Sequence, residues 1–334
     1  MRRPASTGCC MILASSATRP NPLAKKSEMS KPRRERLKVD GWIVLDKPVG
    51  ITSTHALSIV KRLTKADKAG HAGTLDPLAS GILPLAFGEA TKTVPYVMDG
   101  EKAYRFTVTW GVETNTDDSD GEMVNSSAER PTVAAIKAIL PRFLGVVLQM
   151  PPQFSALKVQ GERAYDLARD GEVVKLEPRE VEIAALSLVD HTGDTATFEA
   201  ECGKGTYVRA LARDFGRLLG CFGHITALRR TRVGPFSESE AVTLDALKTA
   251  GEAGPQASDL LAMIQPVERA LASLPAIAIG NHDAQRLKNG QSIILRGRDA
   301  PIVLGHAYAT LHGKLIALVE GENGELRPRR AFHL

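Results

Sequence analysis

Hydrophobic and polar positions along this chain change period from one segment to the next. Residues 42–45 (Trp-Ile-Val-Leu) form an apolar run short enough for a buried strand, and Asp46, Lys47, Pro48 and Gly50 end it. Thr52 or Ser53 then caps a helix whose apolar residues Ala56, Leu57, Ile59, Val60 and Leu63 recur at helical spacing. Residues 69–81 carry glycines at 70, 73 and 81 and are too broken for a regular element, whereas 82–87 are a second apolar run. Tyr104, Phe106, Val108 and Trp110 alternate with Arg105, Thr107 and Thr109, the pattern of a half-buried strand. An acidic, polar stretch follows at 114–122, with a turn signal at Asp120-Gly121.

Further along, 132–144 have a helical pattern, and 179–189 and 195–201 read as paired strands joined by Thr192-Gly193-Asp194. Residues 207–219 form an amphipathic helix ended by Gly220, and 224–233 read as a strand with a basic centre. The small, polar stretch near 250–265 marks a boundary. Beyond it come a short strand near 277, a helix over 284–287, a strand after Gly290, and strands at 302–305, 306–311 and 315–319. This division predicts a basic extension over 1–38, a main domain over 39–262 and a small β-rich domain over 263–334. No internal repeat is evident.

Composition changes this picture in three places. The apolar share of 43% and charged share of 24% are those of a globular chain, so disorder throughout is excluded. The net charge is +5, yet 1–38 hold ten Lys or Arg against two acids, which leaves the remainder at −3. Any nucleic-acid surface on the folded part must therefore come from local clustering. The extension reads as a disordered basic arm, as sequence ahead of a later start at Met29, or as a transit-type segment. Cys9, Cys10, Cys202 and Cys221 form no C-x-x-C pair and no zinc-like spacing with histidine, so a disulfide framework or structural metal is not expected. That usage suits a reducing cytoplasm, and no apolar run has the length of a membrane helix.

Candidate chemistry concentrates in the broken segment. Asp76 is its one carboxylate, held ahead of Pro77 in a glycine-punctuated loop whose backbone can approach a ligand closely. A stiff loop holding one acid suits a nucleophile or general base. The same residues also describe a tight turn whose aspartate bonds its own backbone, and chemistry alone leaves both readings open. Arg209 falls in the first turn of its helix, where a cation opposes the helix dipole, which points to a specific partner. Gly203-Lys204-Gly205-Thr206 is not a phosphate loop of the Walker kind, because position 198 is Phe where glycine is required.

The stretch GHAGTLDPLASGILPLAFGEATK closely resembles the catalytic loop of TruB-type tRNA pseudouridine synthases, G-H-x-G-x-L-D-P-x-A-x-G. GWIVLDKPVGITS, KAYRFTVTWGVETNTDDSDGE, PPQFSALKVQGERAYDLAR, CGKGTYVRALARDFGRLLG and ALRRTRVGPF are similar, in the family's order, to its other motifs. Together they span about 41–236. The resemblance implies an α+β pseudouridine synthase fold, a mixed and mainly antiparallel sheet flanked by helices. It implies Asp76 as catalytic aspartate, Tyr104 as the ring stacked on the target uracil and a proposed proton acceptor, and Arg209 as the ion-pair partner of Asp76. His71, Tyr207 and Leu228 would line or support the substrate site, with His71 helping to hold the base flipped, and Lys47 and Pro48 would support the loop. Basic residues Lys158, Arg163, Arg229, Arg230 and Arg232 are candidates for the RNA backbone. The C-terminal AIAIGNHDAQRLKNGQSI resembles a PUA-type RNA-binding domain, with Leu287 and Gly290-Gln291 as anchors.

The expected activity is isomerisation of uridine 55 in the tRNA T-loop, with the T-arm stem-loop as partner, by a monomer without cofactor or metal. Uracil is detached from ribose, turned and rejoined through C5, so atoms are conserved. A uridine inside a folded loop must be extruded, at about a few kcal/mol, and stacking on a ring returns about 1–3 kcal/mol. The competing expectations are a tRNA-folding chaperone on the same fold and a guide-RNA-dependent relative. The intact Asp76, Tyr104 and Arg209 argue for the enzyme, and the compact bacterial-like layout for one that works alone.

Overall fold

The first apolar run becomes β1 (Gly41–Lys47), buried along its length except at the part-exposed Asp46. A strand covered on both faces needs no polar alternation. The computed structural model describes residues 36–155, 158–159, 162–163, 176–295 and 301–334, with backbone alone at 158–159 and 162–163. After β1 come α1 (Ser53–Thr64), β2 (Ala69–His71), β3 (Ser80–Phe87), α2 (Val94–Asp99) and β4 (Lys102–Trp110). A hairpin of β5 (Val112–Thr114) and β6 (Met123–Ser126) precedes α3 (Val133–Ile139), β7 (Gly145–Gln149) and the short pair β8 (Lys158–Val159) and β9 (Glu162–Arg163). Next are β10 (Arg179–His191), β11 (Thr195–Cys202), α4 (Val208–Leu219), β12 (Gly223–Val233), β13 (Phe236–Ser237), β14 (Val242–Thr243), α5 (Leu244–Gly251) and α6 (Ser258–Ala262).

A ten-stranded sheet, in the order β14-β1-β3-β12-β4-β11-β10-β7, runs through this part, with β2 added to β3 and β13 to β12. Only the β1–β14 and β3–β12 pairs are parallel. It is the mixed, mainly antiparallel sheet expected. One face carries α4, whose Phe215 packs among Phe106, Phe198 and Phe143, with ring centroids 4.7 Å apart for Phe143 and Phe215.

Three local readings change. Residues 69–71, read as irregular, pair with β3 from Ala69↔Phe87 to His71↔Leu85. The helix expected over 132–144 ends at Ile139 and continues as a 3-10 turn, Leu140–Phe143. Pro141 there lacks the N–H that would extend the helix. Residues 302–304 are not a strand; pairing begins at Gly305.

The C-terminal part is a separate five-stranded sheet, β15-β17-β18-β19-β16, made of β15 (Ala276–Ala278), β16 (Ile293–Ile294), β17 (Gly305–Leu311), β18 (Lys314–Glu322) and β19 (Glu325–Ala331). The helix α7 (Asn281–Lys288) buries Ala284 and Leu287 against it. Residues 36–334 form one compact unit. Leu315, Leu318 and Phe332 share a buried cluster with Trp42 and Val44 of β1, and Gln265 exchanges two backbone bonds with Trp42. No helix among the described residues is long and apolar enough to cross a membrane.

Candidate active site

The loop 72–79 leaves β2, presents Asp76, and enters β3. Ser53, Gly50 and the loop itself supply four of the bonds that hold it. The buried Ser53 hydroxyl donates to the Leu75 carbonyl (3.0 Å) and accepts from the Leu75 N–H (2.8 Å). Gly50 N–H donates to the Pro77 carbonyl (2.8 Å) and Ala79 N–H to the Asp76 carbonyl (3.1 Å). Thr52, not Ser53, caps α1, accepting from His55 N–H, which leaves Ser53 to the loop. Lys47, fully buried, donates from its ammonium to the carbonyls of Pro48 and Ile51, both at 2.8 Å, and so shapes the turn that grips Pro77. Burial lowers its pKa to about 8, with Asp76 opposing and Arg230 reinforcing the shift.

Asp76 faces the start of α4 across a cleft of about 360 Å³ lined by Tyr104, Tyr207, Arg209, Leu228 and Arg230 among others. Arg209 Nε lies 2.9 Å from an Asp76 carboxylate oxygen; the arginine side chain is 7% exposed and the aspartate 39%. The rest of the guanidinium donates to the Thr116 carbonyl and the Phe154 carbonyl, both at 2.9 Å, and lies 3.5 Å from Asp118, itself 7% exposed. Two carboxylates at the helix N-terminus offset the repulsion between Arg209 and the dipole. Below Arg209, at helical spacing, Arg213 meets Asp117 (3.1 Å) and the Met150 carbonyl (2.7 Å), and Arg217 meets Glu113 (2.8 Å). Three arginines on one helix face thus clamp the acidic stretch 113–118. Burial pushes the Asp117 carboxyl up to about 6 against the pull of Arg213, Arg209 and Arg217.

Tyr104, on β4, lies directly opposite Arg230 of β12. Burial raises its phenol above the ordinary value, and the nearby Arg230 guanidinium opposes the shift. Tyr207 is the N-cap of α4; its backbone N–H and carbonyl are both held by the Gln149 side chain (2.8 and 3.2 Å). Burial likewise raises its phenol. Leu228 is 8% exposed and forms an apolar wall. His71 ends β2 and is not among the residues lining the cleft; its Nδ1 is buried without a hydrogen-bond partner, and burial then Arg230 lower its pKa.

The basic residues expected at the RNA backbone part company. Arg230 is 2% exposed and turned inward, donating from Nε to the Ile82 carbonyl (2.8 Å) and from its two terminal nitrogens to Thr74 (3.4 Å) and Gly73 (3.0 Å). Its expected place in a surface cluster is corrected accordingly: a residue that enters a sheet interior cannot sit on a solvated face. Arg229 reaches Asp46 through both terminal nitrogens (3.0 Å each) and Glu238 through Nε (2.5 Å). Arg232 pairs with Glu101 (3.4 Å) and Glu201 (3.0 Å). Lys158 and Arg163 stand in β8 and β9, and their side chains lie outside the described residues. Sequence reasoning missed Asp118, Arg213, Gln149 and Ser53. The arginine spacing 209, 213, 217 was the available signal for a helix face that seeks acids. Among the described residues no group of three or more His, Cys, Asp or Glu is arranged to hold a metal ion.

A family model described as TruB family pseudouridylate synthase (N terminal domain) matches residues 61–208, and the tRNA pseudouridylate synthase B C-terminal domain matches 209–272. The chain is 61% identical over 306 residues to the tRNA pseudouridine synthase B of Rhodopseudomonas palustris, covering 91% of this chain and 84% of that protein. It is 56% identical over 308 residues to that of Sinorhizobium medicae, covering 91% and 99%. Among solved structures it is similar to a chain of a Cbf5-Nop10-Gar1 complex, with TM-score 0.69, 25% identity and 88% and 85% coverage. An H/ACA RNP bound to a substrate RNA containing 2'-deoxyuridine shares the fold at TM-score 0.68 and 23% identity, over 88% and 85% of the two chains. With two family models spanning well over half of its length and relatives above half identical across nine-tenths of it, the chain belongs to the TruB family of pseudouridylate synthases.

Proposed function

We propose that this chain isomerises uridine to pseudouridine in tRNA, at position 55 of the T-loop, with Asp76 as its catalytic carboxylate and no cofactor. The observation that carries the reading is the Asp76–Arg209 pair at 2.9 Å, opening onto a cleft walled by Tyr104 and Leu228. The names of the relatives, tRNA pseudouridine synthase B, support the substrate class. The cleft has the size range of small-ligand sites, which suits one extruded nucleoside rather than a stacked duplex.

In this reading the target uridine leaves the T-loop stack and its base lies between Tyr104 and Leu228. Asp76 attacks ribose or base, or stabilises the ribosyl group, as the N1–C1′ bond breaks. The Arg209 guanidinium keeps the carboxylate oriented and balances its charge. Uracil turns, a C1′–C5 bond forms, the C5 hydrogen leaves as a proton, and N1 gains one. Atoms balance without an oxidant, reductant or energy source. Tyr207 and Leu228 restrict the base, and His71 supports the loop from the β2 side. The five-stranded C-terminal sheet is taken as a PUA-like module that adds RNA contact, and the protein is taken to act as a monomer.

The test is tritium release from C5-labelled uridine in a tRNA transcript, with no metal or nucleotide added. Release by the wild type that stops in Asp76→Asn, and stops when the T-loop uridine is replaced, is the expected result. Folded protein that binds tRNA yet releases nothing would overturn the reading in favour of an RNA chaperone.

A further inference from the structure

We propose that Arg230 is a positioning residue for this reaction, a buried guanidinium that holds the Asp76 loop in fixed relation to the strand carrying Tyr104. The inference rests on the roles given above to Asp76 and Tyr104, and it concerns how their geometry is set.

Arg230 stands where three strands meet. In β12 it lies opposite Tyr104 of β4 on one side and Gly81 of β3 on the other. Its side chain runs under the loop and donates to carbonyls on both flanks of Asp76: Gly73 and Thr74 before it, and Ile82 after it. Tyr104, its partner on β4, lines the same cleft. One rigid, planar group therefore braces both flanks of the acid's loop from the strand paired with Tyr104.

Any negative charge that develops on the Tyr104 oxygen is felt by a cation 2% exposed to solvent, where screening by water is weak.

Arg230 differs in this from its neighbours. Arg209, Arg213, Arg217, Arg229 and Arg232 each meet a carboxylate. The hydrogen-bond partners of Arg230 among the described residues are backbone carbonyls. Burial accordingly lowers its pKa, with Tyr104 and then Asp76 opposing. A buried cation without a contacting carboxylate is costly to keep, so its retention calls for a role beyond packing.

The glycines of the loop fit the same account. A Cβ at Gly73 would stand 3.3 Å from Arg230 Nη1, and one at Gly81 would stand 2.2 Å from the Arg230 carbonyl oxygen. Both glycines have positive φ, +91° and +98°. The glycine pattern that suggests close approach to a ligand is thus, at these two positions, close approach to Arg230.

The test uses single-turnover tritium release with enzyme in excess, together with filter-retention binding of the same tRNA. The variants are Arg230→Lys, Arg230→Gln, Tyr104→Phe and the double variant Arg230→Lys/Tyr104→Phe. Misplacement of reacting groups by about 1 Å costs about 100-fold in rate, and that is the loss expected for Arg230→Lys, with tRNA affinity within about twofold of wild type. Because Arg230 sets the relation between Asp76 and Tyr104, the double variant should lose less than the product of the two single losses. Gly73→Ala leaves Arg230 in place but presses a methyl on its Nη1, and should slow the reaction without weakening binding; it remains informative if the Arg230 variants do not fold. A wild-type rate in folded Arg230→Lys or Gly73→Ala, multiplied losses in the double variant, or weakened tRNA binding at an unchanged rate would each overturn the proposal. Failure of the underlying reading looks different: no release by the wild type, or undiminished release by Asp76→Asn.

Discussion

Replacing Arg209 by Met removes the one guanidinium that joins Asp76, Asp118 and the Thr116 carbonyl. Two separable costs follow. The first is stability. Arg209 and Asp118 are each 7% exposed, and deleting one partner of a buried pair leaves an uncompensated charge at about 3–5 kcal/mol. Asp76 is 39% exposed, so water takes over its share and it adds little to this figure. The second cost is catalytic: Asp76 loses its orienting partner, and a rate loss of at least about 100-fold is expected for a carboxylate free to reorient. Adding Asp118→Asn separates the two. The buried charge disappears, so the double variant should recover about 2 kcal/mol or more of the loss, while the rate stays low. Urea unfolding gives the first quantity and single-turnover tritium release the second. A stability loss below about 1 kcal/mol in Arg209→Met would mean that water already reaches the pair. Recovery of the rate in the double variant would mean that Arg209 acts only by neutralising Asp118, and would refute the role given to its contact with Asp76.

Other outcomes follow from single residues. Burial raises the Asp117 carboxyl from 3.8 to about 6. The folded state therefore holds this proton more tightly than the unfolded one, and the stability it contributes is present below about pH 4 and lost as pH rises through about 6. Melting temperatures of the wild type and Asp117→Asn should diverge in the variant's favour across that window and run parallel above pH 7; a difference constant from pH 4 to 7 refutes this. Gly81→Ala combines a positive φ of +98° with a Cβ 2.2 Å from a backbone oxygen, and should lose at least about 2 kcal/mol in urea unfolding; a near-neutral change would mean that β3 and β12 can separate there without cost. Arg229 is already bonded to Asp46 and Glu238. Arg229→Gln should leave the salt dependence of tRNA binding unaltered, whereas loss of a phosphate contact would reduce the log–log slope by about 0.7–0.9.

Much of the fold was legible because period and burial agree. The alternation from Tyr104 to Trp110 became β4, and the helix ended by Gly220 became α4, with Gly220 in the left-handed conformation at φ +71°. Local signals failed where a partner distant in sequence decides. Residues 69–71 have no strand pattern of their own, and they are extended because β3 offers an edge for pairing. Ser53 and Thr52 are equivalent as caps by sequence, and the position of Leu75 separates them. Neighbouring letters cannot report a bond to a residue 22 positions away.

The site divides in the same way. The resemblance of the ordered motifs from 41 to 236 to the family singled out Asp76, Tyr104 and Arg209 as candidates, whereas an acid on a stiff glycine loop and a cation at a helix start left more than one reading open by themselves. The run Arg229, Arg230, Arg232 reads as one basic patch, yet only the tertiary structure could say which way each side chain turns. Successive strand residues face opposite sides, and the register is irregular between Arg230 and Arg232. Arg230 enters the interior, while Arg229 and Arg232 meet acids from Asp46, Glu238, Glu101 and Glu201, which come from four other places in the chain. The sequence by itself determined the chemistry available to this protein, since residue types and local conformation are written in it directly. Which charges stay free, which are buried and which hold others in place was decided by the sheet, because those properties depend on neighbours that only folding brings together.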